Sequence, residues 1–188
     1  GVIPGPQVWE ACMTGKYRMV GDWYSGKGSQ AGEDRTCDIH CIIHDENAYL
    51  QTGPNMKRGI EAHRKMDFVL SKAQFMTTQA MYSDIVLPVT TQWEVPGGLS
   101  ASNREFLFCF SQVTEPLFEA KTDVEINSLI MEAIGVDPKT VYPISPKQAF
   151  FNSIATATVI KNDDSGKFET LVTITDDDIA TLGVEGAA

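Results

Sequence analysis

The stretch from Asp67 to Glu94, DFVLSKAQFMTTQAMYSDIVLPVTTQWE, constrains the fold more than any other part of the chain. It contains two apolar runs, FVL at 68–70 and IVL at 85–87, which are typical of strands buried on both faces. The residues between them predict a helix over 76–83, with Thr77 or Thr78 as its N-cap. The second run ends at Pro88, which has no backbone N–H to give to a sheet. Strand, helix and strand in so short a stretch predict a βαβ unit with parallel strands and a right-handed crossover.

The preceding residues repeat this pattern. CDIHCIIH at 37–44 predicts a strand, and 55–65 predicts a helix with Asn55 as its N-cap. We therefore expect an α/β fold, a Rossmann-like three-layer α/β/α arrangement with a mostly parallel sheet. In such sheets ligands bind beyond the carboxyl ends of the strands. This rule places Asn47, the joint at 71–74 and the turn at 90–98 along one edge.

The flanking segments predict three regions: an N-terminal helix and loop over 1–36, the α/β half-domain over 37–135, and a C-terminal extension of helix and strand over 136–188. In the first region, 6–16 predicts a helix and 21–34 a loop. The loop contains Gly-Lys-Gly at 26–28, but no helical pattern follows, so a flexible insertion is favoured over a phosphate-binding loop.

After Glu94 the pattern predicts a loop at 95–103 and a strand at 104–113. The capping box T-x-x-E at Thr122 opens a helix that Gly135 ends. Further on, the sequence predicts a helix at 145–155, a strand at 168–175 and a capped helix at 175–183.

The composition excludes several classes of function. A net charge of −10 argues against nucleic-acid binding, which requires a basic surface. The sequence has no run of eighteen apolar residues that would predict a membrane span. The first residues lack the basic and apolar regions of a signal peptide.

The residues that bind metals or act as nucleophiles give weak signals. The four cysteines predict buried thiols rather than a metal site, and Cys37 and Cys41 should share one face of the first strand. His40 and His44 should also share a face, but no third ligand lies nearby. His63 is interpreted as a solvated or partly packed residue. We find no Ser–His–Asp arrangement, phosphate-binding loop or cysteine redox pair with suitable spacing.

Several blocks of the sequence resemble one enzyme family. TTQAMYSDIVLPVTTQWE resembles the block T-x-T-A-x-x-A-D-h-V-L-P-x-x-x-x-x-E of molybdopterin oxidoreductases of the dimethyl sulfoxide reductase family. ENAYLQTGPNMKRGIEAHRKMDF is similar to that family's G-N-x-h-x-Q-x-x-x-N-x-x-R and a-h-x-K-h-D-F. SNREFLF and EAKTDVEINSLIMEAIG resemble its later strand and helix. The resemblance covers about 39–135, with the blocks in the family's order.

The resemblance implies a half-domain that contacts the nucleotide end of a molybdopterin guanine dinucleotide. Asn47 matches an asparagine after the first strand, although an ordinary turn asparagine is the alternative. Asp123 matches an aspartate that meets guanine N–H donors, with a favourable acid in a helix's first turn as the alternative. Ser71 and Lys72 lie beside the expected ribose and guanine. Ala73 and Glu46 depart from the family, which often has an acid and a glycine there.

The resemblance further implies a fragment of the catalytic subunit of a molybdenum oxidoreductase, with a bis(molybdopterin guanine dinucleotide) cofactor. Its parent is expected to be a bacterial enzyme of anaerobic respiration, periplasmic or membrane-associated through partner subunits. The partners implied are the remainder of the catalytic subunit and an iron–sulfur subunit; the parent's iron–sulfur cysteines are not in this chain. We expect the fragment alone to be inactive and to dimerise through its exposed sheet edge. A stand-alone α/β module that binds a nucleotide or a protein is the alternative.

Overall fold

The computed structural model of the protein describes residues 3–19, 32–45, 48–100 and 107–186. These fall into two compact units, the first formed by 1–91 with 117–121 and the second by 92–116 with 122–188. Asn47, Glu46 and the Gly-Lys-Gly at 26–28 lie outside the described residues.

The first unit begins with helix α1, Val8–Thr14, which follows a short 3-10 turn at Gly5–Gln7. Gly15 ends the helix with φ at 70°, a left-handed conformation that glycine adopts without strain. Strand β1, Lys16–Arg18, then pairs antiparallel with β2, Asp34–Thr36. The helix was predicted, but this small sheet was not.

A three-stranded parallel sheet forms the centre of the first unit. Its strands are β3 (Cys41–Asp45), β4 (Phe68–Ala73) and β5 (Ile85–Pro88), in that spatial order. Helices α2 (Tyr49–Thr52) and α3 (Met56–Lys65) connect β3 to β4, and α4 (Thr78–Met81) connects β4 to β5. The prediction of an α/β fold with a parallel sheet is confirmed.

The helices begin where capping residues predict. The Asn55 side chain accepts a hydrogen bond from the Arg58 N–H at 3.3 Å, and Asn55 itself adopts a left-handed conformation with φ at 56°. Thr77 caps α4 by accepting from the Ala80 N–H at 3.2 Å. Each cap satisfies one of the N–H groups that the first helical turn leaves without a partner.

The first strand starts four residues later than predicted. Cys37 donates its N–H to Gly15 O, so residue 37 extends the pairing of β1 with β2 rather than the parallel sheet. His40 O accepts the N–H groups of both Asp67 and Phe68, which marks the point where β3 joins β4. The prediction that Cys37 and Cys41 share a face of one strand is therefore wrong.

The core of the first unit lies between the sheet and its helices. The cluster of buried side chains joins α1, α2, α3 and β4, and it consists of Trp9, Cys12, Leu50, Ala62, Met66 and Val69. Because side chains alternate along a strand, Val69 and Ser71 face the helices, whereas Leu70 and Lys72 face the opposite side of the sheet. This alternation decides which residues reach the site described below.

The second unit contains two antiparallel hairpins and three helices among its described residues. The elements are β6 (Gly97–Ser100), β7 (Leu107–Phe110), α5 (Asp123–Ala133), α6 (Pro146–Ala155), β8 (Thr158–Ile160), β9 (Phe168–Thr170) and α7 (Asp176–Leu182). Strand β6 pairs with β7 and β8 with β9. The predicted capping box at Thr122 is confirmed, and Thr175 forms another with Asp178.

The loop predicted at 95–103 is wrong for its central part, since 97–100 pair with β7. Within this strand, residue 98 has to be glycine, because a Cβ there would collide with the ring of Phe150. Of the helices within the described ranges, none combines the length and apolar character that crossing a membrane requires.

Candidate functional site

The carboxyl edge of the parallel sheet places an acid and a base side by side. Asp45, the last residue of β3, is the register partner of Lys72 on β4. The Lys72 ammonium lies 2.6 Å from Asp45 Oδ1, with the lysine side chain 1% exposed and the aspartate side chain 67% exposed. The buried lysine thus fixes the position of a carboxylate that faces solvent. A carboxylate has acceptor capacity for several hydrogen bonds, so this contact leaves Asp45 able to accept others.

Ser71, a predicted cofactor residue, has its hydroxyl turned into the protein. Its Oγ lies 2.7 Å from Ser83 Oγ, and the Ser83 hydroxyl donates to Gln79 O at 3.1 Å. Because Ser83 uses its proton on Gln79, Ser71 is the donor in the first bond. The Ser71 side chain therefore ties β4 to the end of α4.

The backbone beyond the strands is held by a short network within the first unit. Gln74 Nε2 donates to Thr90 O at 3.1 Å, and the Thr90 N–H donates to Lys121 O at 3.1 Å. Val89 and Lys121 form a parallel bridge next to the sheet. These bonds order the edge on which Asp45 lies, which reduces the entropy that a ligand would have to remove.

Two buried histidines lie behind the same edge. His44 Nε2 is 2.9 Å from His63 Nε2, and the two rings stack with centroids 5.0 Å apart. The side chains are 5% and 4% exposed. His63 Nδ1 lies 2.7 Å from Gly59 O, which can only accept, so Nδ1 carries the proton and His63 Nε2 is the acceptor for the His44 Nε2–H.

Burial favours the neutral form of both rings. Burial lowers the pKa of His44 to about 4, assisted by the neighbouring His63, while Asp45 acts weakly in the other direction. Burial also lowers the pKa of His63, against the effect of the Gly59 carbonyl. The interpretation of His63 as solvated or partly packed is wrong, because it packs against His44 and the Trp9 ring.

His40 has a different environment from His44. It precedes β3, its side chain is 65% exposed, and it contacts Asp67 at 2.6 Å and Asp38 at 3.2 Å. Hydrogen bonds to Asp67 and then Asp38 raise the pKa of His40. The expected common face of His40 and His44 does not form, because the strand begins after His40.

Asp123 lies at the first position of α5 in the second unit. Its charge is favourable there because the N-terminus of a helix carries a partial positive charge. Asp84 accepts the Val69 N–H at 2.7 Å through Oδ2. Across 3–19, 32–45, 48–100 and 107–186, no group of three or more His, Cys, Asp or Glu side chains is arranged to hold a metal ion.

The second unit contains an apolar cavity of about 440 Å³. It lies between α6, α7 and the segment around Leu171, and Lys147 and Cys109 are also among its lining residues. Large apolar side chains elsewhere in this unit are exposed, among them Val113, Leu129, Ile134, Ile160 and Phe168.

The sequence did not predict Asp45 or the pairing of His44 with His63. The predicted strand ends at residue 44, whereas the register makes Asp45 the last strand residue. The signal available was the lysine in the second strand, because a lysine within an apolar run requires a partner when it is buried.

Comparisons with known proteins agree with the resemblance. A sequence model of the family described as molybdopterin oxidoreductase matches residues 27–133. Proteins of Staphylococcus haemolyticus and Staphylococcus aureus, each provisionally named a formate dehydrogenase, are 32% identical over 82 residues. That stretch is 44% of this chain and 8% of the staphylococcal proteins.

Among solved structures, acetylene hydratase from Pelobacter acetylenicus has a similar fold. The TM-score is 0.50 at 23% sequence identity, over 62% of this chain and 16% of the hydratase chain. At this identity the similarity concerns the fold alone.

Proposed function

The chain belongs to the molybdopterin oxidoreductase family, and from this we propose that it forms part of the binding site for the guanine dinucleotide end of the cofactor. The observation that carries the proposal is the solvent-facing Asp45 carboxylate at the carboxyl edge of the parallel sheet, held by buried Lys72. Ligands of open parallel sheets bind at this edge.

The carboxylate at this edge suits the chemistry of a nucleotide. Guanine N–H groups and ribose hydroxyls are donors, and a fixed carboxylate is a strong acceptor for them. The family often has an acid at the position of Ala73. This residue directly follows Lys72, the register partner of Asp45. We infer that Asp45 supplies a carboxylate on the neighbouring strand where Ala73 has none.

The four residues predicted for the site then have different roles. Lys72 is a positioning residue, because its ammonium is buried against Asp45. Ser71 holds β4 to α4 through Ser83. Asn47 and Asp123 remain proposed contacts to the cofactor, through an amide and a carboxylate respectively.

We propose that the parent is an oxidoreductase of the dimethyl sulfoxide reductase type with a bis(molybdopterin guanine dinucleotide) cofactor. When bound, that cofactor supplies the chemistry of oxygen-atom or two-electron transfer. The region aligned with the staphylococcal proteins spans less than a tenth of their length. We therefore propose that this chain binds and orients but does not catalyse alone, and that the rest of a catalytic subunit and an iron–sulfur subunit complete the enzyme.

Calorimetric titration of the chain with GDP, GMP and AMP tests the nucleotide edge. We expect GDP to bind and AMP to bind more weakly. Hydrogen bonds to charged groups contribute about 1.5–3 kcal/mol, so Asp45→Asn should weaken GDP binding about tenfold to a hundredfold. Lys72→Met should weaken it as well, because the carboxylate loses its anchor.

Asp164→Asn is the matched control, because it makes the same change at an exposed turn in the second unit. It should leave GDP affinity unchanged. Equal GDP affinity in the unsubstituted chain, in Asp45→Asn and in Asp164→Asn would refute the role of Asp45. Selective binding of AMP would instead favour a stand-alone nucleotide-binding module.

A protein-interaction role is the second candidate, and the exposed apolar side chains of the second unit favour it. Within the family assignment, these side chains are expected to contact the remainder of the catalytic subunit. Co-expression with the rest of that subunit should protect residues such as Ile134 and Phe168 from surface labelling. Unchanged labelling in the co-expressed complex would count against this contact.

A further inference from the structure

Two cysteines far apart in the sequence meet at the C-terminal end of α1. Cys12 lies in the last turns of the helix and is buried. Cys37 follows β2, and its Sγ lies 3.8 Å from Ala11 O, the carbonyl that precedes Cys12. The Cys37 N–H also donates to Gly15 O at 2.9 Å. Both contacts place Cys37 beside the C-terminal turn of α1, next to Cys12.

The surroundings of the pair keep it in place. Lys65 Nζ donates to Cys12 O at 3.0 Å and to Met13 O at 2.8 Å, so α3 clamps the end of α1. Burial raises the pKa of Cys12, and the charge of Cys37 raises it further, as expected for two sulfurs close together. Cys37 is partly exposed, whereas Cys12 is not, so a solvent oxidant meets Cys37 first.

We propose that Cys12 and Cys37 form a reversible disulfide, a modification site that the sequence spacing did not predict. Both thiols lie outside the nucleotide edge, so the proposal does not rest on the proposed function. The bond would tie the C-terminal end of α1 to the start of the segment that leads into β3. Closure requires Cα atoms about 4.4–6.8 Å apart, and the contacts of Cys37 with Ala11 O and Gly15 O bring its backbone to the turn that contains Cys12.

The reaction balances with a peroxide as the oxidant. The Cys37 thiolate attacks one peroxide oxygen, the O–O bond breaks, and Cys37 becomes a sulfenic acid with release of water after protonation. Cys12 then attacks the Cys37 sulfur, the S–O bond breaks, and a second water leaves. Overall, two thiols lose two electrons and two protons, and hydrogen peroxide is reduced to two waters. A dithiol reductant reverses the bond by thiol–disulfide exchange.

Peptide mapping of the native full chain tests the proposal. The protein is treated with hydrogen peroxide, quenched with catalase, denatured, alkylated with iodoacetamide and digested with trypsin. Cleavage after Lys16 and Arg35 puts Cys12 and Cys37 on separate peptides. We expect a peptide pair joined through these cysteines, two hydrogen atoms lighter than its reduced parts, and its loss with dithiothreitol.

The variant Cys41→Ser/Cys109→Ser serves as the matched control, since both thiols are exposed and the variant retains only the proposed pair. Its titratable thiols should fall from two to none on oxidation, without dimer formation. Cys37→Ser should abolish the link and leave Cys12 available for alkylation after denaturation. A link from Cys37 to Cys41, or Cys12 fully alkylated after peroxide treatment, would overturn the proposal.

Discussion

Lowering the pH from 7 to 5 should destabilise the first unit, because His44 must stay neutral where it is buried. His44 Nε2–H donates to His63 Nε2, and His63 in turn donates to Gly59 O. A proton added to this hydrogen-bonded pair of histidines either puts two N–H groups against each other or charges a ring inside the core. Protonation of the pair in the folded state therefore costs free energy.

The sign and size follow from the pKa of His44. Burial lowers it from 6.5 to about 4 in the folded chain, so below pH 6.5 the unfolded chain binds more protons. Stability is therefore complete above pH 6.5 and is lost as the pH falls toward 4. With 1.36 kcal/mol per pKa unit, the loss is about 2 kcal/mol at pH 5 and about 3 kcal/mol below pH 4.

Urea unfolding followed by far-ultraviolet circular dichroism, at pH 7 and pH 5, measures this effect. In His44→Gln, the amide can donate to His63 but does not titrate, so the variant should lose about 2 kcal/mol less than the parent chain between the two pH values. His40→Gln is the matched control. The pKa of His40 is raised by Asp67 and Asp38, so its contribution is present at low pH and is lost as the pH rises. Equal losses of stability between pH 7 and pH 5 in the unsubstituted chain and in His44→Gln would refute the assignment of this effect to His44.

Two substitutions and one sedimentation experiment test the packing, the capping and the association of the chain. Gly59→Ala should destabilise the chain by about 1–3 kcal/mol in urea, although alanine is the better helix former, because the new Cβ would lie 2.5 Å from Leu50 Cδ1 and 3.0 Å from the Trp9 ring. The control Lys57→Ala, on the exposed side of α3, should be nearly neutral. A Gly59→Ala variant that is more stable than the unsubstituted chain would contradict the packing. Thr122→Ala removes the capping box of α5 and should cost about 0.5–2 kcal/mol, so an unchanged urea midpoint would show that the cap does not contribute. Sedimentation velocity at rising concentration should detect self-association through the exposed sheet edge, and a strict monomer at high concentration would exclude the expected dimer.

The parts of the fold that the sequence predicted are those that local rules decide. Apolar runs, Pro88 and the caps at Asn55, Thr77 and Thr122 are read from neighbouring residues, and each is where the pattern indicated. The sheets that were missed, β1 with β2 and β6 with β7, depend on partners that the local pattern does not specify. Their short strands carry little periodicity, so only the pairing itself identifies them.

For the candidate site, the predicted strands indicate an edge of the sheet, and the binding role of the side chains there stays a prediction. Open parallel sheets bind ligands beyond the carboxyl ends of their strands, and Ser71 and Lys72 lie near that end of β4. Which side chain faces solvent depends on the register between β3 and β4, since one residue along a strand reverses the face.

The register explains why Asp45 rather than Lys72 is exposed at that edge. Lys72 lies opposite Asp45, and its ammonium, with 1% of the side chain exposed, is stabilised by a carboxylate 2.6 Å away. The charge of the buried lysine therefore orients the carboxylate of Asp45. One strand residue toward the amino end, the same register turns His44 and Ser71 to the helix face, where they meet His63 and Ser83. The two faces of one pair of strands thus separate a polar edge suited to binding from a neutral buried pair suited to stability.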